Sequence, residues 1–107
     1  MKKITVFLAS TALVMGASSA FAGGSITAVS WGGAYTVSQV EAYHKPWTAA
    51  TGNTVVSEDY SGGIAEVKAQ VEAGNVTWDI IDVEKSDAVR GCDEGLFMEI
   101  DPTSLPD

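Results

Sequence analysis

Three times between Ser25 and Leu96, a short run of β-forming residues gives way, across glycines or charged residues, to a stretch with apolar residues at helical spacing. That alternation constrains the chain most, because parallel strands need long crossovers and helices supply them. Ser25-Ile26-Thr27-Ala28-Val29-Ser30-Trp31 is the first predicted strand, with Ile26, Ala28 and Ser30 on one face. Beyond the loop Gly32-Gly33-Ala34-Tyr35, the residues Val37, Val40, Tyr43, Trp47 and Ala50 fall in one broad helical stripe. Pro46 is expected to kink or divide that helix, since it has no N–H and crowds the preceding turn. Gly52 is the expected stop, in the left-handed conformation.

Asn53 to Asp59 is the second predicted strand, and Tyr60-Ser61-Gly62-Gly63 the next loop. Ile64, Val67 and Val71 mark a second helix that ends at Gly74. Trp78 to Val83 is the third strand, its Ile80-Ile81 pair suited to a strand covered on both faces. Ser86 is the expected cap of a third helix, with Asp87 in its first turn. Val89, Cys92 and Leu96 would face inward and Gly95 would end it; the tail Asp101–Asp107 carries turn residues. The expectation is an α/β fold: a parallel sheet with helices on both faces, joined by right-handed crossovers. Three strands are few for such a sheet, so residues 23–107 are expected to be the front portion of a longer protein.

The first 22 residues do not fit that pattern. Met1-Lys2-Lys3 is a positive start, Ile4 to Ala17 is uncharged, and Ala20-Phe21-Ala22 places small residues where signal peptidase requires them. A secretory signal peptide over residues 1–22 is expected, cut between Ala22 and Gly23. A membrane-spanning helix needs about 20 consecutive apolar residues, and threonines and serines interrupt this run. No cysteine lies near the cut to carry a lipid. The single cysteine, Cys92, reads either as a small buried hydrophobe or as half of a disulfide completed beyond residue 107.

The chain has 14 acidic and 6 basic residues, a formal charge of −8. Removing residues 1–22 takes away Lys2 and Lys3 and no acidic residue, so the remainder stands at −10. Such a balance argues against nucleic acid, which needs clustered Lys and Arg, and against an anionic membrane surface.

In parallel sheets ligands bind beyond the carboxyl ends of the strands, which directs attention to three loops. Trp31-Gly32-Gly33-Ala34-Tyr35 sets two aromatics around glycines that let backbone approach a ligand closely; such a pair can sandwich an apolar stem or face a cation. The alternative is that Trp31 closes the core and Tyr35 lies on the surface. Asp59-Tyr60-Ser61-Gly62-Gly63 precedes a helix start whose free N–H groups favour an anion, or it is an ordinary loop. Asp82 and Glu84, two apart, share a side if the third strand reaches them, and then receive an amine or a metal ion; otherwise they are solvated.

Signatures of catalysis are missing: there is no G-x-S-x-G elbow, phosphate loop or G-x-G-x-x-G after the first strand. The one histidine, His44, reads as a helix-face residue. No cofactor is expected, nor is a metal site, since the His and Cys ligands of a zinc centre are lacking.

With these motifs in order, the chain resembles the N-terminal part of periplasmic solute-binding proteins of ABC importers, nearest to the spermidine/putrescine-binding branch. The landmarks are Val29-Ser30-Trp31 with Tyr35, Lys45-Pro46-Trp47, Thr51-Gly52, Val55-Val56, Trp78-Asp79-Ile80-Ile81-Asp82, and Glu94-Gly95-Leu96 leading to Ile100-Asp101. The resemblance implies two α/β lobes that close on a small ligand, with this chain in the first. It implies a periplasmic monomer that delivers a polyamine or related cationic solute to an ABC permease in the inner membrane. It carries Trp31, Tyr35 and Glu84 over as ligand-binding positions; the loop readings add Gly32 and Gly33, with Asp59, Tyr60 and Ser61 as a second rank. Polyamine binders tend to place an acidic residue before the tyrosine, where this chain has Ala34, and a small hydroxyl side chain where it has Glu84. The alternative is a secreted α/β enzyme whose catalytic residues lie beyond residue 107.

Overall fold

The computed structural model describes residues 23–106; the expected signal peptide lies outside the described residues. Strands β1 (Ser25–Ser30), β2 (Thr54–Asp59) and β3 (Ile80–Ile81) form one parallel sheet in the order β2-β1-β3. Ser25 pairs with Thr54 and Ser30 with Asp59, while Ala28 and Val29 pair with Ile80 and Ile81. The chain moves outward from β1 to β2, then crosses back over β1 to β3. The direction of winding therefore reverses between β1 and β3, where such sheets bind ligands.

Helices pack on both faces. On one side run α1 (Gly33–Gln39), a π-helical turn (Val40–His44) and α2 (Lys45–Thr51), unbroken from end to end. On the other side α3 (Ala65–Glu72) and α4 (Lys85–Asp93) are joined by an ion pair, Lys68 Nζ donating to Glu94 Oε2 at 2.8 Å. The buried core consists of Val29, Tyr60, Ile64 and Val67. Gly52, Gly74 and Gly95 take positive φ where the helices were expected to end.

The first helix departs from its predicted stripe. It begins at Gly33, so Gly33, Ala34 and Tyr35 form its first turn rather than a loop. Pro46 does divide the helix, but through a widened turn: Lys45 N–H donates to Val40 O, five residues back, directly before the proline. The π-turn holds more residues than an α-turn and so rotates everything after it. Along the whole run Thr36, Val40, His44 and Thr48 lie half-buried, while Val37, Tyr43, Trp47 and Ala50 of the predicted stripe are exposed; the widened turn accounts only for the part after Val40.

The third unit is corrected in three places. β3 is a two-residue outer strand, not six, although Asp79 N–H donates to Thr27 O and Asp82 N–H to Val29 O on either side of it. Ile80 is 56% exposed, because its side of the sheet opens into a cavity of about 320 Å³ also lined by Ile26, Ala28, Tyr43 and Trp47. Glu84, not Ser86, occupies the cap position of α4; Ser86 lies inside the first turn and makes no capping bond, while Asp87 is in that turn as expected. Val89 and Cys92 face out, and the inward face is Asp87, Ala88 and Gly91. The reason is Phe97: its ring lies where a side chain on Gly91 would be, so the helix turns its bare backbone toward the aromatic. Leu96 is half-buried. In the tail, Pro102–Ser104 forms a 3₁₀ turn capped by Asp101, whose Oδ1 accepts from Thr103 N–H at 2.9 Å.

Candidate functional site

The carboxyl ends of the strands are tied together by side chains from all three units. β1 ends in Ser30, 3% exposed, whose Oγ donates to Asp82 Oδ2 at 2.9 Å. Gln39, at the end of α1, donates its amide to the same oxygen at 2.5 Å. Asp82 is thus held by its own fold. The strand itself stops at Ile81, and Glu84 is exposed at the start of α4.

Trp31 follows Ser30 and stands at the rim, 38% exposed. Its indole N–H donates to Tyr60 OH at 3.2 Å, and Tyr60 OH donates to the backbone carbonyl of Asp82. A single hydrogen-bonded line therefore runs from the end of β1, through the end of β2, to the end of β3. Tyr60 is 8% exposed, and its ring meets Trp78 edge-on with centroids 5.8 Å apart. Trp78 in turn donates its indole N–H to Glu58 Oε2 at 2.9 Å. Burial raises the Tyr60 hydroxyl above its ordinary pKa. The Trp31 bond pulls the other way, and the charges of Asp87, Asp82 and Glu84 add to the rise.

Tyr35, in the first turn of α1, is 47% exposed and lies beside Trp31, ring centroids 5.2 Å apart and planes tilted by 38°. The two therefore form a contiguous aromatic surface open to solvent. Gly32 makes this approach possible. Its φ of +86° is left-handed, and a Cβ there would sit 3.2 Å from Asp59 Oδ2. Its N–H donates to Thr36 Oγ1 at 2.9 Å, and that hydroxyl donates to Asp59 Oδ1 at 2.7 Å. Asp59 is the last residue of β2, and its carboxylate anchors the start of α1.

The structure thus brings Trp31, Gly32, Tyr35, Asp59 and Tyr60 together, with Gly33 in the same turn. Glu84 lies at the exposed mouth of β3 and Ser61 is exposed on the β2 loop. The supporting residues Ser30, Thr36 and Gln39 were not legible as a group. The spacing Gly32-x-x-x-Thr36, which lets a hydroxyl reach back one turn, is the one local signal that pointed to any of them. Among the described residues, no group of three or more His, Cys, Asp or Glu is gathered as a metal site, and no helix is long and apolar enough to cross a membrane.

No protein-family model matches the chain. Over 83 residues it is 46% identical to a gamma-aminobutyric acid-binding protein of Pseudomonas aeruginosa, a stretch covering 78% of this chain and 24% of that protein. Among solved structures, AgtB of A. tumefaciens R10 in complex with agropinic acid matches with a TM-score of 0.70 and 36% identity, over 75% of this chain and 25% of AgtB. An ABC transporter substrate-binding protein of Bradyrhizobium japonicum matches with a TM-score of 0.74 and 31% identity, over 78% and 26% of the two chains. MotA of A. tumefaciens B6 in complex with glucopine matches at 0.71 and 30%, over 77% and 25%. The chain spans about a quarter of the length of these relatives. They are binding proteins rather than enzymes, so the secreted-enzyme alternative gains nothing from them. The homologues of this chain are thus periplasmic solute-binding proteins of ABC transporters, and its parallel sheet and flanking helices correspond to part of their bilobal fold.

Proposed function

We propose that this chain is the N-terminal portion of the first lobe of a periplasmic receptor that captures a small amine-bearing solute for an ABC permease. Residues 1–22 act as its signal peptide, removed between Ala22 and Gly23. The observation that carries the reading is the open Trp31–Tyr35 surface, set at the point where the sheet reverses its winding. Two adjacent aromatic faces attract an ammonium group through their ring quadrupoles and cover the methylenes attached to it. Gly32 and Gly33 let the solute approach the backbone, and Glu84 supplies negative charge at the neighbouring strand end. Asp59 and Ser61 complete the rim. A second lobe closes over this surface, driven by contacts available only when solute is present. The receptor acts as a monomer, binds no nucleic acid and uses no cofactor.

The solute class is a polyamine or a related cationic compound. Gamma-aminobutyric acid also carries an ammonium group, beside a carboxylate, which supports an amine-bearing solute from the side of the relatives. Thermal-shift and calorimetric titration of the full-length protein with putrescine, spermidine and gamma-aminobutyrate tests it. At least one of these is expected to raise the melting temperature, and Trp31→Ala to weaken its binding about 5- to 30-fold, the scale of a partly desolvated cation–aromatic contact. Stabilisation by none of the amines, or unchanged affinity in Trp31→Ala, overturns the reading.

A further inference from the structure

We infer that Tyr60 is a positioning residue: its hydroxyl holds the Trp31 indole by the ring edge, so that Trp31 meets its ligand through the ring face and not through its N–H. The inference rests on the proposed reading of Trp31 as a ligand contact. An indole has one polar hydrogen, and here it is spent on Tyr60 OH at 3.2 Å. The hydroxyl has one hydrogen of its own, and it is spent on the Asp82 carbonyl. That carbonyl belongs to a residue fixed on every side: its N–H donates to Val29 O at 3.0 Å, and its carboxylate accepts from Ser30 and Gln39. Tyr60 is buried, with Trp78 packed edge-on against its ring, so the hydroxyl cannot swing away. Its raised pKa keeps it protonated near neutrality, so the line persists there.

Two consequences follow for the ligand. The part that reaches Trp31 is a cationic or apolar stem, because a carboxylate there finds no donor on the indole. The ring plane is also fixed before ligand arrives, so little side-chain freedom is lost on binding.

Indole ¹⁵N–¹H spectra of the full-length protein without solute test the tether, the Trp31 resonance being assigned by its loss in Trp31→Phe. In the unmutated protein its indole proton should exchange slowly with solvent; fast exchange there overturns the inference with no variant needed. In Tyr60→Phe, which keeps the buried ring, the resonance should move and its protection disappear. The dissociation constant for gamma-aminobutyrate, or for putrescine if that is the probe bound, should rise about 3- to 10-fold, the scale of one lost hydrogen bond. An unmoved resonance overturns the inference. So does unchanged affinity in Tyr60→Phe when Trp31→Ala weakens binding, and in that case the ligand contact itself stands. Unchanged affinity in Trp31→Ala overturns the contact instead.

Discussion

Asp82 serves its own fold with both main chain and side chain: the carbonyl accepts from Tyr60, and one carboxylate oxygen accepts from Ser30 and Gln39. Removing that carboxylate leaves the 3%-exposed Ser30 hydroxyl without its acceptor. Asp82→Ala is therefore expected to lower unfolding stability by about 2 kcal/mol in urea titrations of the full-length protein. Asp82→Asn should cost less, because an amide oxygen can still accept. A carboxylate that paired with ligand instead would show the opposite signature, lost binding with unchanged stability. This role was hidden in the sequence, where an Asp two residues before a Glu at a strand end reads either as a ligand-facing pair or as two solvated carboxylates. What decided it were the bonds from Ser30 and Gln39, residues more than forty positions away that nothing in the run Trp78 to Val83 announces.

Between elements, the sharpest fit is α4 against Phe97. A Cβ on Gly91 would overlap the ring, so Gly91→Ala should destabilise the protein by about 1–3 kcal/mol despite the better helix propensity of alanine. Phe97→Leu in the same chain should recover part of the loss, read as unfolding midpoints of the single and double variants. The α3–α4 ion pair makes a separate prediction. Lys68 holds the Glu94 carboxyl below the usual carboxylate range, and Glu94 holds the Lys68 amine above its own. A depressed folded pKa means that the contribution is present above the unfolded carboxylate value and fades as pH falls through the folded one. Lys68→Met should therefore flatten the loss of stability on acidification below about pH 4.5, the unfolded range of a glutamate.

The same elements show what could be read in advance. Strand type, parallel order of units and the glycine stops were legible because each rests on local chemistry: β-branched runs, crossover length and positive φ. The inward faces of α1–α2 and α4 were not. Past Val40 the first depends on the widened turn ahead of Pro46, and the second on an aromatic ring arriving from beyond the helix end. In the candidate site, the aromatics Trp31 and Tyr35 stood out by type and spacing. Tyr60 was legible as a second-rank ligand-binding position in a loop, since nothing local told that its hydroxyl reaches from Trp31 to the Asp82 carbonyl.

At the scale of the whole molecule, the proposed signal peptide predicts that protein recovered from the periplasm begins at Gly23 by intact-mass measurement; retention of residues 1–22 argues against export by cleavage. The cut would fall where the fold starts, since a side chain on Gly23 would overlap the Gly52 carbonyl and Gly24 N–H donates to Asn53 Oδ1 at 2.8 Å. The line from Trp31 through Tyr60 to Asp82 also sets an order of events during synthesis. A nascent chain that has emerged only as far as Gly74 holds the tryptophan and the tyrosine, but the acceptor that locks them has not left the ribosome. The line from Trp31 is complete only once residue 82 docks beside the first strand, although the tryptophan leaves the ribosome some fifty residues earlier.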